Sequence, residues 1–326
     1  MNDSTTEQLP PAVFLLGPTA SGKTALAELM AQRWPLEVIS VDSALVYRDM
    51  NIGTAKPDAE FLQRLPHHLI DIRNPDQTYS AAEFRNDALA LMADITARGR
   101  IPLLVGGTML YFKILLEGIA DLPPADPKIR ADILADAESL GWQAMHQRLQ
   151  VIDPQAAAAL HPNHSQRIQR ALEVYYASGK TLSSYQSEQV ATPFPYRLAQ
   201  LALWPQNRAA LHQRIEQRFA EMLEQGLIEE LAELRKKYPL HQNMASMRAV
   251  GYRQVWDYLE NQTDRPQLLL SGVAATRKLA KRQFTWLRKW PELHRLEIDY
   301  DQELSNCDLF SITLSKISVI MQELDV

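Results

Sequence analysis

Residues Gly17-Pro18-Thr19-Ala20-Ser21-Gly22-Lys23-Thr24 fit the pattern G-x-x-x-x-G-K-[ST]. They stand between an apolar run at 12–16 and a helical segment at 23–34. This strand–loop–helix unit constrains the fold more than any other feature of the chain. Its glycines let backbone N–H groups turn inward around phosphate oxygens, and the following helix aims its positive end at them. Lys23 adds a point charge, and the Thr24 hydroxyl can hold Mg2+. The motif therefore asks for a bound diphosphate or triphosphate without specifying ATP.

Five further apolar runs, at 37–41, 68–72, 101–105, 198–204 and 293–298, read as strands. Several are nearly continuous in Val, Ile and Leu, as in strands buried on both faces. Helical segments at 23–34 and 81–98 alternate with the first four. The pattern predicts an α/β fold: a P-loop NTPase-like parallel sheet core with helices on both faces. The alternation stops near residue 119. Asp121-Leu122-Pro123-Pro124-Ala125-Asp126-Pro127 is a proline-rich break, followed by helical patterns at 128–139, 142–151, 154–160 and 165–178. A second break, Thr192-Pro193-Phe194-Pro195, precedes the next strand. Two proline hinges around an all-helical stretch predict an inserted helical domain at 119–197 within a core of 1–118 and 198–326. A terminal amphipathic helix is expected at 312–324.

A length of 326 residues allows about two domains. With 34 basic against 39 acidic residues the formal charge is -5, so overall charge does not hold this chain to nucleic acid, although a local basic face still can. The single cysteine, Cys307, excludes a disulfide scaffold and a cysteine-clustered zinc site and fits a reducing cytoplasm. No apolar run reaches the roughly 18 residues of a membrane span, and the opening residues lack the pattern of a secretory signal.

Asp42 follows the second strand, where ligands of open α/β sheets bind, so it is expected on the same edge as the phosphate loop. It reads equally as a base for a substrate nucleophile or as a turn residue in Asp42-Ser43. A candidate Walker-B strand at 101–105 runs into Gly106-Gly107-Thr108 rather than an aspartate, which favours a loop that holds diphosphate for a purpose other than hydrolysis. The segment 276–289 carries six basic residues and no acid. At helical spacing Val273, Ala280, Phe284 and Leu287 form an apolar stripe, leaving Lys278, Lys281, Arg282 and Lys289 as a cationic ridge suited to a polyanion or simply to solvent. Ser165 reads as a helix cap, which sets Arg167 and Arg170 near the positive helix end, where stability alone does not place them unless a local ion pair does. Arg248 and Arg253 flank Gly251 and Tyr252, a grouping suited to stacking on unpaired bases. Arg214 and Arg218 share a helix face and reach either a diphosphate or Glu221 and Glu224. The histidines show no zinc spacing and read as structural or surface residues.

Taken together these motifs resemble the tRNA dimethylallyltransferase (tRNA isopentenyltransferase) family. The resemblance rests on GPTASGKT (17–24), VDSALVYRDMNIGTAKP (41–57), HHLIDIRNP (67–75), YSAAEFRNDA (79–88), PLLVGGTMLY (102–111), HQRIEQRF (212–219), RAVGYRQVW (248–256) and TRKLAKRQFTWLR (276–288). The chain shows no zinc finger of the kind appended in forms from nucleated cells, so it looks like the bacterial form. The resemblance implies transfer of a dimethylallyl group from dimethylallyl diphosphate to N6 of the adenine just 3′ of the anticodon, position 37, in tRNAs that read codons beginning with U. It implies that Asp42 is the base, that Gly17, Pro18, Thr19, Ala20, Ser21, Gly22, Lys23 and Thr24 hold the donor diphosphate, that Thr24 lies near Mg2+, and that Arg218 stabilises the leaving diphosphate. It maps tRNA contacts onto Asp42, Ser43, Ala44 and Leu45, onto Thr108 and Arg130, and onto Gln166, Arg167, Ile168, Gln169 and Arg170. Further contacts map onto Arg248, Ala249, Val250, Gly251, Tyr252 and Arg253, and onto Thr276, Arg277, Lys278, Leu279, Ala280, Lys281, Arg282 and Gln283. The expected partners are the tRNA anticodon stem-loop and dimethylallyl diphosphate, with no membrane, for a monomer. A small-molecule or nucleotide kinase is the competing enzyme and would consume ATP. A nucleic-acid-binding ATPase or RNA-binding module would use no prenyl donor.

Overall fold

The computed structural model describes residues 9–189, 193–300 and 306–326. The opening residues and Thr192 lie outside it, as does the side chain of Cys307. Six strands form one parallel sheet: β1 (Pro11–Leu16), β2 (Leu36–Val41), β3 (His67–His68), β4 (Ile101–Gly106), β5 (Arg197–Pro205) and β6 (His294–Ile298), in the order β3-β2-β4-β1-β5-β6. Helices α1 (Lys23–Ala31), α2 (Ala59–Arg64), α3 (Ala81–Ala97) and α4 (Met109–Glu117) accompany the first four strands.

Alternation along β1 shows why the sheet is buried twice. Ala12, Phe14 and Leu16 enter one apolar cluster with Phe84 of α3 and Phe112 of α4, while Val13 and Leu15 enter the other with Leu26 and Met30 of α1. Side chains of successive strand residues point to opposite faces, and each fully buried Val, Leu or Phe contributes about 1.5–3 kcal/mol.

β3 spans only His67–His68 where a five-residue strand was expected at 68–72. Leu69 (φ 64°) and Asp71 (φ 57°) adopt left-handed backbone, which a strand cannot continue through. α2 was not anticipated, because its run is short and polar. Asp58 starts it by accepting from the Phe61 N–H. α3 begins with a capping box in which Ser80 and Glu83 satisfy each other's backbone N–H.

The chain divides into two compact units, Met1–Leu116 with Phe194–Val326, and Glu117–Pro193. Among the described residues the second has only helices as regular elements: α5 (Pro127–Leu140), α6 (Trp142–Ile152), α7 (Pro154–Ala158), α8 (Ser165–Ser178) and α9 (Leu182–Glu188). Its own core includes Ile133, Met145, Leu149, Ile168 and Leu172. After β5 the first unit adds α10 (Arg208–Glu224), α11 (Leu227–Lys237), α12 (Tyr252–Leu259) and α13 (Arg265–Leu287), and after β6 the helix α14 (Asn306–Glu323). Among the described residues no helix is long and apolar enough to cross a membrane.

Candidate active site

The phosphate loop leaves β1 at its carboxyl end and enters α1 through Gly22, whose φ of 82° only glycine adopts without strain. A Cβ there would also come within 3.0 Å of the Phe310 ring of α14. Lys23 Nζ donates to the carbonyls of Gly17 (3.0 Å) and Pro18 (2.7 Å). Burial pulls its ammonium from 10.5 down to about 7, against the pull of the Asp42 carboxylate and with the push of Arg218. The loop is also braced from outside. Arg214 Nε donates to the Ala20 carbonyl (3.2 Å), Tyr300 donates its hydroxyl to the Ser21 carbonyl (2.7 Å), and the Arg214 guanidinium lies 4.6 Å over the Tyr300 ring.

Asp42 closes the turn after β2. Its Oδ1 accepts from the N–H groups of Ala44 (2.8 Å) and Leu45 (3.4 Å), and Oδ2 accepts no hydrogen bond among the described residues. The turn and base readings are thus compatible, with one oxygen for each. Thr108, just past β4, accepts the Ser43 N–H on its hydroxyl (3.0 Å) and fixes the turn from the neighbouring strand.

Loop and carboxylate open onto one cavity of about 460 Å3, within the usual range of ligand sites. Thr19, Ala20, Ser21, Gly22, Lys23 and Thr24 line one part of it, and Asp42 and Arg218 another. Gly17 and Pro18 are not among the lining residues and serve through the carbonyls that hold Lys23. Arg218 is half-buried and makes no hydrogen bond or ion pair among the described residues, and burial draws its pKa below the ordinary arginine value while Asp42 opposes this. Neither Arg214 nor Arg218 pairs with Glu221 or Glu224. Leu45, Ile215, Phe219 and Met222 give the cavity an apolar wall suited to a hydrocarbon group.

The residues fit a magnesium ion of one kind. Among the described residues no three His, Cys, Asp or Glu side chains cluster, so an all-protein cage is absent. A hydroxyl (Thr24) and a carboxylate (Asp42) line the cavity, and the buried hydroxyls of Ser21 and Ser40 beside them lack hydrogen-bond partners. This hard, sparse donor set suits Mg2+ held mainly by water and diphosphate oxygens.

The remaining predicted residues separate by burial. On α13, Lys278, Lys281 and Arg282 are exposed while Val273, Ala280, Phe284 and Leu287 are buried, so the stripe and most of the ridge are present; Lys289 is exposed but lies in the turn past the helix end rather than on the ridge. Arg277 pairs with Glu216 of α10 (2.8 Å), and Thr276 and Leu279 line the cavity. Arg248 and Arg253 are exposed, and Ala249 and Val250 line the cavity. Tyr252 corrects the stacking expectation: it is 0% exposed, and its hydroxyl donates to Glu230 (2.5 Å), so its ring cannot meet a base. Gly251 beside it, Ala280 on α13 and Ile168 in the helical unit are likewise buried and support their faces from beneath, whereas Gln283, also buried, lines the cavity.

In the helical unit Gln166 and Arg167 are exposed. The expected cap is displaced: Ser165 is the first residue of α8 and His164 precedes it with no side-chain cap bond. Arg170 has the local partner that its position required. Buried Glu173 accepts from Arg130 Nε (2.6 Å) and Nη2 (3.2 Å), from Gln169 (3.2 Å) and from Arg170 Nη1 (3.5 Å). Arg170 Nη2 also donates to the Pro123 carbonyl (2.9 Å).

Two features escaped the sequence reading. His67 lines the cavity, with Nδ1 against the Leu65 carbonyl (2.7 Å) and a pKa lowered by burial, which the Leu65 contact opposes. The loop after Met50 supplies Gly53, Thr54, Ala55 and Pro57 to the cavity. Glu230 holds that loop by accepting the N–H groups of Asn51 (2.9 Å), Ile52 (2.8 Å) and Gly53 (3.2 Å).

Fold and site together define a phosphate-loop α/β protein that sets the loop, a carboxylate and an apolar wall around one cavity. The profile of the IPP transferase family matches residues 45–290. The structure is similar to the tRNA isopentenylpyrophosphate transferase of Bacillus halodurans (36% identity, 97% of each chain, TM-score 0.69). It is also similar to the tRNA delta(2)-isopentenylpyrophosphate transferase of Staphylococcus epidermidis (31% identity, 96% of this chain and 99% of the other, TM-score 0.67). A eukaryotic dimethylallyltransferase acting on tRNA matches with TM-score 0.77 at 28% identity, over 95% of this chain and 79% of its own. The chain belongs to the IPP transferase family.

Proposed function

We propose that this enzyme transfers a dimethylallyl group from dimethylallyl diphosphate to N6 of adenine 37, beside the anticodon, in tRNAs that read codons beginning with U. The observation that carries the reading is the single cavity shared by the phosphate loop, Arg218 and Asp42. Adenine's amine is a weak nucleophile because its lone pair is delocalised into the ring. As N6 bonds to C1 of the donor, the C–O bond to diphosphate breaks and its electron pair leaves on oxygen. Asp42 Oδ2 accepts the N6 proton, while Oδ1 keeps the turn closed. Loop N–H groups, Lys23 and Arg218 take up the charge developing on the departing diphosphate. Mg2+ beside Thr24 supplies further positive charge to the diphosphate when bound. The adenine leaves its stack to enter the cavity, at a cost of a few kcal/mol offset by contacts to the tRNA backbone. The exposed cations of α13, Arg248, Arg253 and Arg167, with Arg130 and Arg170, which share Glu173, are the surfaces offered to those phosphates.

The test is to incubate the protein with unmodified tRNA, Mg2+ and dimethylallyl diphosphate, digest the RNA and weigh its nucleosides. One dimethylallyl group on the adenosine at position 37, with diphosphate released and no ATP consumed, is expected. ATP consumption without transfer establishes the kinase reading instead.

A further inference from the structure

We propose that Gln283 is a positioning residue for the donor diphosphate, its side-chain amide locking the phosphate loop to the end of β4 from within the helix that bears the cationic ridge. The inference rests on the function proposed above and assigns Gln283 to donor binding rather than to RNA contact.

Gln283 lies among strong cations on α13, and its neighbours Lys281 and Arg282 are exposed, yet it is only 7% exposed itself. Its Oε1 accepts the Thr19 N–H at 2.8 Å, and its Nε2 donates to the Gly107 carbonyl at 3.0 Å. The two ends of the carboxamide thus hold unlike partners, one in the phosphate loop and one just past β4. A buried amide satisfied at both ends has one orientation, so the side chain acts as a rigid strut. A Cβ at Gly107 would fall 2.4 Å from Nε2, so the strut fits only against glycine there.

What the strut joins gives it a role. Thr108, next to Gly107, fixes Ser43, and Ser43 follows Asp42. The chain of contacts runs from the loop through Gln283 to Gly107, Thr108 and the turn of the base. The loop segment it holds is strained: Ala20, next to Thr19, has φ 62° without being glycine. Arg214 and Tyr300 hold the loop by its carbonyls at Ala20 and Ser21, whereas Gln283 holds an N–H. Removing the strut frees residue 19 to relax and shifts the amides aimed at diphosphate relative to Asp42. Geometry at a transition state tolerates little displacement, so both donor affinity and turnover depend on it.

The experiment compares full-length wild type, Gln283→Met, Gln283→Glu and Lys281→Gln. Affinity for dimethylallyl diphosphate with Mg2+ is measured by calorimetry, tRNA affinity by filter binding, and kcat with the KM of each substrate by turnover. Gln283→Met loses both amide bonds, so its donor affinity should fall about tenfold or more with kcat reduced, while tRNA affinity stays within about twofold. Lys281→Gln should show the opposite pattern. If thermal melting shows that Gln283→Met does not fold, Gln283→Glu, which keeps the acceptor for Thr19 and loses the donor to Gly107, carries the same two readings. Unchanged donor affinity, or a loss confined to tRNA affinity, overturns the proposal. A wild type that neither binds dimethylallyl diphosphate nor transfers its prenyl group to tRNA overturns the functional reading itself.

Discussion

Lys23 should set a proton count on donor binding. Its ammonium sits at about 7 instead of 10.5, chiefly because burial strips it of water. With that value a lysine is about nine-tenths neutral near pH 8 and about half neutral near pH 7. A diphosphate placed on the loop brings negative charge into contact with Nζ and restores the ammonium. Binding should therefore take up about 0.9 proton near pH 8 and about 0.1 near pH 6. Donor affinity follows: level below about pH 7, then falling by as much as tenfold per pH unit above it. The sign for stability is opposite. The folded value lies below the unfolded one, so between about 7 and 10.5 the unfolded chain holds more protons, and the ligand-free protein gains stability as pH rises through that window. The assay is calorimetric titration of dimethylallyl diphosphate near pH 8, with Mg2+ constant, in two buffers of different ionisation heat. The dependence of the observed heat on the buffer gives the protons taken up. Lys23→Met should abolish that dependence. A wild type with no buffer dependence, or a Lys23→Met protein that keeps it, refutes the argument.

Asp42→Asn keeps the Oδ1 that closes the turn and removes the base, so turnover should fall by about 10² or more while tRNA affinity, measured by filter binding, stays within about tenfold. Unchanged turnover would move the proton acceptor elsewhere. Glu173→Ala leaves Arg130 and Arg170 without their shared carboxylate; because both guanidiniums are partly solvated, we expect a loss of about 1–2 kcal/mol in the helical unit, read by hydrogen exchange, with weaker tRNA binding and an unchanged donor KM. Raising salt from low to moderate should weaken tRNA binding more than donor binding, since only the former releases many counterions, and equal losses would count against the cationic ridge as an RNA face.

The phosphate loop was legible because its chemistry is local: a strand, glycines, a lysine and a helix start within one short stretch. The position of Asp42 was legible for the same reason, since strand ends and loops meet at one sheet edge. What resisted the sequence was burial decided by distant neighbours. Gln283 and Tyr252 carry polar atoms that suggest a surface, yet partners on other elements, Thr19, 264 residues before Gln283, and Glu230, 22 residues before Tyr252, accommodate them inside. Apolar residues at 69–72 suggest a longer β3, and only the left-handed backbone of Leu69 and Asp71 shows why the strand stops. The cavity role of the loop after Met50 was hidden likewise, because Glu230, which shapes it, lies about 180 residues away.

The phosphate loop precedes in the chain the segments that support it, and its support comes late. Gly22 rests against Phe310, Ser21 is tied to Tyr300, and β1 completes its pairing only when β5 arrives. Until those segments arrive, the loop is held by Lys23 on its own carbonyls and by the pairing of β1 with β4. Long-range parallel pairings close more slowly than helices wind, so the loop should reach its final shape only in the last stages of folding.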